Sequence, residues 1–253
     1  MPTAPDHSTR HFRIDGKDLS YPTDFRDGSS CMGLFLVDAD RADQLILESG
    51  FKVARVSPGK GLLSLICVHY VDSDCGSYEE IALAFFVDKE GGGWRLPYLG
   101  NWYDLVRSGV ASYTWRLPVT TVLSRDAGIE MWGFPKTLET IEYQCRDRRA
   151  SFCWRNGDEV VLRFSVPATG SRQPDTFTSP VYSVFEGEHH VSYLTQSYRD
   201  TGYHLIGGVE LQLGAHPVAD ELRSLGLPRR PLVAAWNGHV AFKMSAPERL
   251  YDW

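Results

Sequence analysis

From residue 62 to residue 213 the sequence is dominated by short runs rich in β-branched and aromatic residues, bounded by glycine, aspartate, asparagine or proline. LLSLICVHY, EIALAFFVD, ASYTWRL, LETIEYQC, ASFCWR, EVVLRFSV, VYSVF, HHVSYLT and GYHLIGGVELQL all have this character, and MGLFLV precedes them. Runs of this kind read as strands. Between ASFCWR and EVVLRFSV stands Asn156-Gly157, a hairpin signal because both residues tolerate the positive φ of a two-residue turn. So long a series of antiparallel strands leaves open edges unless it curls into a barrel or packs as two sheets. The expected fold is therefore α+β and mostly antiparallel β. Curled sheets or a barrel-like core would enclose a cavity, with a few short helices.

Helical patterns interrupt the series in a few places. DADRADQLILESG starts on a capping Asp38, spaces Ala42, Leu45 and Ile46 along one face, and stops at Gly50. NWYDLVRSG and the stretch around SRDAGIE have helical spacing, and in PVADELRSLG the proline Pro217 suits a first turn and Gly226 an exit. Residues 1–30, rich in Pro, Asp, Ser and Gly, read as an irregular arm. Residues 31–253 then form a single domain with one large core. The run Gly91-Gly92-Gly93 has no GKS or GKT after it, which makes it a hairpin tip rather than a phosphate loop.

Several function classes are disfavoured. The net charge is −6 and basic residues alternate with acidic ones, so no basic stripe exists to neutralise a nucleic-acid backbone. The opening MPTAPDHSTR lacks an apolar core, and no later apolar run approaches the roughly 18 residues of a membrane span. A soluble, cytoplasmic protein without a membrane partner is expected. The five cysteines are odd in number and widely spaced, which suits reduced, buried thiols. The eight histidines form no HExxH pattern, and the adjacent His189 and His190 would point to opposite faces of a strand. Neither a metal site nor a cofactor is expected.

The densest unusual stretch is Gly128-Ile-Glu-Met-Trp-Gly-Phe-Pro-Lys-Thr-Leu. A lysine amine must be neutral to attack a carbonyl, although its reference pKa is about 10.4. Burial against apolar walls disfavours the charged form. If residues 132–136 run extended, Trp132, Phe134 and Lys136 share one face, and Pro135 holds Phe134 out of the helix. A lysine after proline is ordinarily a solvated surface residue, so the flanking pattern carries the catalytic reading.

That pattern resembles the acetoacetate decarboxylase family. A Glu, a short apolar run and an aromatic-Pro-Lys surround that family's Schiff-base lysine; here these are Glu130, Phe134-Pro135 and Lys136. Cys75-Gly-Ser-Tyr78-Glu79-Glu80 is similar to the family's turn followed by Tyr-x-Glu, which places an active-site carboxylate at Glu80. GGVELQLGAHPVADEL, followed by LGLP, is similar to the closing hairpin and helix, so the resemblance covers most of residues 30–250. It implies a Schiff-base lyase acting on a small β-keto or other oxo acid, with no cofactor, in a homo-oligomer. Lys136 would be the nucleophile and Glu80 the proton carrier. Tyr78, Trp132, Phe134 and Glu130 would belong to the pocket. Arg116, in a strand, could face the cavity and hold a substrate carboxylate or face solvent. Glu130 ranks below Glu80, because contact with Lys136 requires a bend at Gly133 or Pro135.

The chain also departs from the family. Thr137 stands where a second lysine usually follows the nucleophile, Leu65 falls near the place of a second glutamate, and the expected arginine aligns with Gly28, two residues from Arg26. These losses resemble relatives that run aldol or dehydration reactions on other oxo acids through the same lysine. An inactive protein that keeps the fold and binds a small molecule is the remaining alternative.

Overall fold

A computed structural model of the chain describes residues 11–88, 111–205 and 207–250. The helical pattern NWYDLVRSG and the Gly91-Gly93 run lie outside the described residues. In chain order, the first half holds β1 (His11–Ile14), β2 (Lys17–Ser20), β3 (Thr23–Asp38), α1 (Ala39–Leu45), β4 (Lys52–Val53), β5 (Lys60–Ser73), β6 (Tyr78–Asp88) and β7 (Ser112–Val119). It continues with α2 (Val122–Trp132), β8 (Lys136–Leu138), β9 (Thr140–Arg146), β10 (Arg149–Asn156) and β11 (Glu159–Pro167). The last part comprises β12 (Phe177–Phe185), β13 (Glu188–His204), β14 (Glu210–Leu213), α3 (Pro217–Ser224), β15 (Val233–Met244) and β16 (Glu248–Arg249).

The principal sheet runs β4-β6-β5-β3-β15-β13-β12-β7-β8, with β16 beside β13. It closes on itself because β7 pairs in parallel with β12 and antiparallel with β6. The expected α+β, mostly antiparallel fold with a curled core is the one observed. A second sheet, β14-β11-β10-β9, packs over the barrel's outside. Phe35, Leu63, Leu65 and Phe85 of the barrel share one apolar cluster with Ile141, Phe152 and Phe164 of this sheet. A separate cluster fills the barrel interior, where Val68, Tyr70, Leu117 and Val240 meet Met131 and Trp132 of α2 and Ile14 and Leu19 of the β1–β2 hairpin.

Local signals account for most of these elements. The Asn156-Gly157 turn joins β10 to β11, with Asn156 opposite Glu159 and Gly157 at φ 57°, where a side chain would be strained. Asp38 caps α1 by accepting from the Arg41 N–H. His216 accepts from the Val218 N–H at the start of α3, with Pro217 in the first turn.

Three expectations are corrected. Residues 11–30 are not an irregular arm: they form the β1–β2 hairpin and the first half of β3, whose Phe25 and Ser30 reach the interior. Their polar composition reflects turns at Asp15-Gly16 and an exposed outer face, not disorder. GYHLIGGVELQL is not one strand. Gly207 and Gly208, both at φ 73°, follow the end of β13 and let the chain cross to the second sheet as β14. Finally, Cys31, Cys67, Cys75 and Cys153 are buried free thiols as expected, but Cys145 on the edge strand β9 is exposed. No helix among the described residues is long and apolar enough to cross a membrane.

Candidate active site

The segment that closes α2 also delivers Lys136. Thr121 caps the helix by accepting from the Ser124 N–H, and Gly133 ends it in the left-handed region at φ 68°. A side chain at Gly133 would also meet the Val184 carbonyl at 2.8 Å. The turn is then held by the Phe134 N–H donating to the Gly128 carbonyl at 3.0 Å. Pro135 follows, and Lys136 opens β8, which pairs in parallel with β7 through Leu117.

The lysine stem crosses α2 at Gly128, where an added methyl would stand 2.3 Å from Cδ and 2.5 Å from Cε. Glycine is required there because the stem and the helix backbone occupy adjacent space. Gly128→Ala should therefore keep the fold, since the atoms it displaces belong to a flexible side chain, but move the amine out of position. Misplacing a reacting group by about 1 Å can cost on the order of 10²-fold. The check is turnover measured beside an unchanged circular dichroism spectrum.

The amine reaches Glu80. Lys136 Nζ lies 2.8 Å from Glu80 Oε2, and the two side chains are only 8% and 12% exposed. The Tyr70 hydroxyl donates to Glu80 Oε1 at 3.1 Å, and the Tyr78 hydroxyl is 3.5 Å from Oε2. The ammonium also sits over the Tyr78 ring, 5.4 Å from its centre. Burial, reinforced by the neighbouring Glu80 charge, pushes both phenols well above their usual range. Each therefore stays protonated and serves as a donor to the carboxylate.

Around this pair the barrel encloses a cavity of about 150 Å³, a size that in an apolar protein interior holds a benzene-sized molecule. Trp132, Phe134, Leu117, Val68, Val240 and Phe242 form much of its wall. Among the described lining residues, Glu80 and Lys136 are the charged ones. No group of three or more His, Cys, Asp or Glu side chains suited to a metal occurs among the described residues.

The structure thus brings Lys136, Glu80, Tyr78, Trp132 and Phe134 together. The geometric argument for the aromatic pair needs revision, however. Trp132 and Phe134 stack with ring centres 6.2 Å apart because the helix ends between them at Gly133, not because residues 132–136 run as a strand. The Trp132 Nε1–H donates to the Ser245 carbonyl at 2.8 Å, which fixes its ring in the cavity wall.

Two expected pocket residues lie elsewhere. Glu130 is on the exposed side of α2, because the helix continues to Trp132 and turns Ala127, Gly128 and Met131 inward instead. Arg116 leaves the cavity because the β6–β7 register shifts between Leu83 and Ala84, inserting an extra residue at Trp115. Ser112, Thr114 and Leu117 face inward, whereas Arg116 turns outward to Glu221 of α3 at 3.0 Å.

The family departures also have places. Leu65 packs against the second sheet, and β5 offers Ile66, Val68 and Tyr70 to the cavity instead. Arg26 is on the outer surface, paired with Asp72 and Asp74. Gly28 touches the His69 carbonyl so closely that a side chain there would clash. Thr137 is exposed on β8. Sequence reasoning missed Tyr70, whose signal was its alternation with Ile66 and Val68 in LLSLICVHY. Gly128 was also overlooked, although a glycine inside a helical pattern usually has a packing reason.

The sequence matches a family model described as acetoacetate decarboxylase (ADC) over residues 4–252. No curated protein matches it. Among solved structures, an acetoacetate decarboxylase from Legionella pneumophila subsp. pneumophila str. Philadelphia 1 superposes with a TM-score of 0.68 at 15% identity, covering 92% of this chain and 88% of that one. Another, from structural studies of acetoacetate decarboxylase, gives 0.64 at 14% identity over 93% and 91%. The enduracididine biosynthesis enzyme MppR, in complex with pyruvate, gives 0.58 at 16% identity over 92% of each chain. At these identities the likeness establishes the fold. The family match, which spans nearly the whole sequence and includes the Lys136 segment and the Tyr78–Glu80 turn, establishes that the chain belongs to the acetoacetate decarboxylase family.

Proposed function

We propose that this protein is a Schiff-base lyase acting on a small β-keto or other oxo acid, with Lys136 as nucleophile and Glu80 as proton carrier. The observation that carries this reading is the buried Lys136–Glu80 contact of 2.8 Å inside a cavity wall whose other described residues are uncharged. Glu80 takes a proton from the ammonium, and the freed amine adds to the ketone carbon. One proton of the attacking nitrogen passes to the carbinolamine oxygen, which takes a second from Glu80 and leaves as water, giving an iminium. In a β-keto acid, the electrons of the bond to the carboxylate then flow into the iminium, carbon dioxide departs, and an enamine remains. A proton drawn from solvent through Glu80 is delivered to the enamine carbon, and water releases the ketone.

A retro-aldol or dehydration reaction would use the same iminium. The outward turn of Arg116 favours keeping this second reading, because it leaves no arginine among the described lining residues to hold an acetoacetate carboxylate. MppR, a structural relative, is recorded with pyruvate bound. Product analysis with a panel of oxo acids separates the two. Carbon dioxide release by the wild type and not by Lys136→Ala is expected. Aldehyde formation without carbon dioxide would assign the retro-aldol reading, and loss of water to give an unsaturated oxo acid would assign the dehydration reading.

A further inference from the structure

The wall facing Lys136 carries its own polar group. Gln196, on β13, lines the cavity several strands away from β6 and β8 in either direction around the barrel. Its Oε1 accepts from the Tyr198 hydroxyl at 2.5 Å, and its Nε2 donates to Ser179 Oγ at 2.7 Å. In this orientation each amide atom meets a complementary partner, the oxygen a phenol donor and the nitrogen a hydroxyl acceptor. Burial pushes the Tyr198 phenol well above its usual range, so it remains the donor. A primary amide nitrogen has two hydrogens. One is used by Ser179, and among the described residues no acceptor takes the other, which leaves it for a ligand in the cavity that Gln196 lines.

We propose that Gln196 is the specificity-determining residue of this cavity, and that the substrate is a ketone whose far end is uncharged and accepts a hydrogen bond. The proposal rests on the Schiff-base reading above. An ester, ketone or ether oxygen at that end would receive the second Nε2 hydrogen. A carboxylate would have to leave water for a wall that offers an amide and no cation among the described residues, an unfavourable transfer. The carboxylate of a β-keto acid escapes this restriction, because it sits at the reacting end beside the iminium and departs as neutral carbon dioxide. A charge at the other end persists through every step.

The test compares two β-keto acids of the same skeleton, 3-oxoadipate and its C6 monomethyl ester, whose far-end group cannot leave as carbon dioxide, with 3-oxohexanoate as the apolar reference. Carbon dioxide release and borohydride-trapped adducts are measured for each. The ester should exceed the dicarboxylate in kcat/KM by about 100-fold, because an unpaired buried charge costs more than a neutral group. Gln196→Leu should lower kcat/KM for the ester by about tenfold more than for 3-oxohexanoate, the scale of one lost neutral hydrogen bond, so the preference shifts toward the apolar acid. Preference for the dicarboxylate, or equal loss on both monoacids in Gln196→Leu, would overturn the proposal. The substrate comparison in the wild type stands even if the variant folds poorly. Absence of any adduct on Lys136 with all three acids would instead overturn the Schiff-base reading itself.

Discussion

Replacing Lys136 with alanine should abolish turnover, by about 10⁴- to 10⁶-fold, the scale seen when a covalent nucleophile is removed from a group that acts as a unit. The expectation follows from the absence of a substitute: among the described residues lining the cavity, no other lysine is present. The same variant should also be less stable. Lys136 and Glu80 are nearly buried, so removing the lysine leaves the Glu80 carboxylate with tyrosine donors and, among the described residues, no cation. Breaking a buried ion pair from one side costs about 3–5 kcal/mol. Lys136→Met combined with Glu80→Gln removes both charges and should recover most of the melting temperature while remaining inactive. Thermal unfolding and product release measured on the single and double variants separate the chemical role of the lysine from its structural one.

Glu80→Gln should lower kcat by about 10²- to 10⁴-fold, the usual range for loss of a general acid–base group. Glutamine preserves the shape and can still accept from the Tyr70 hydroxyl, which is 3.1 Å from Oε1 in the wild type. It cannot take the proton from the lysine ammonium or return one to the carbinolamine and the enamine. The loss should therefore appear in kcat and not only in KM. Single-turnover kinetics on a turned-over oxo acid check this, because they report the chemical steps without product release. An unchanged kcat would remove Glu80 from the mechanism and leave it as a counter-ion.

How much of this was legible in the sequence depends on the range of the interactions involved. The Asn156-Gly157 turn, the Asp38 cap and the Pro217 start of α3 are set by neighbouring residues, and each appears where its local chemistry places it. The Phe134-Pro135-Lys136 motif is likewise local. Its partner Glu80 was reachable through the Tyr-x-Glu turn, although their contact depends on β8 lying beside β7 and β7 beside β6.

What the sequence did not reveal depends on distant strands. The direction of Arg116 is decided by a bulge opposite Leu83 and Ala84 on β6, and period-two alternation read from β7 alone misses such an insertion. The place of Glu130 followed from how far α2 runs, a boundary set by the αL turn at Gly133 and its packing against Phe185. Gly128 is a different case, because its requirement comes from the Lys136 stem crossing the helix.

The central claim is that Lys136 forms an iminium with a carbonyl substrate. The most direct measurement is intact mass followed by peptide mapping after incubation with an oxo acid and borohydride. The account predicts one added substrate-derived mass, located on the peptide containing Lys136 and absent from Lys136→Ala. An adduct on another lysine, or no adduct while the same preparation turns the oxo acid over, would contradict it.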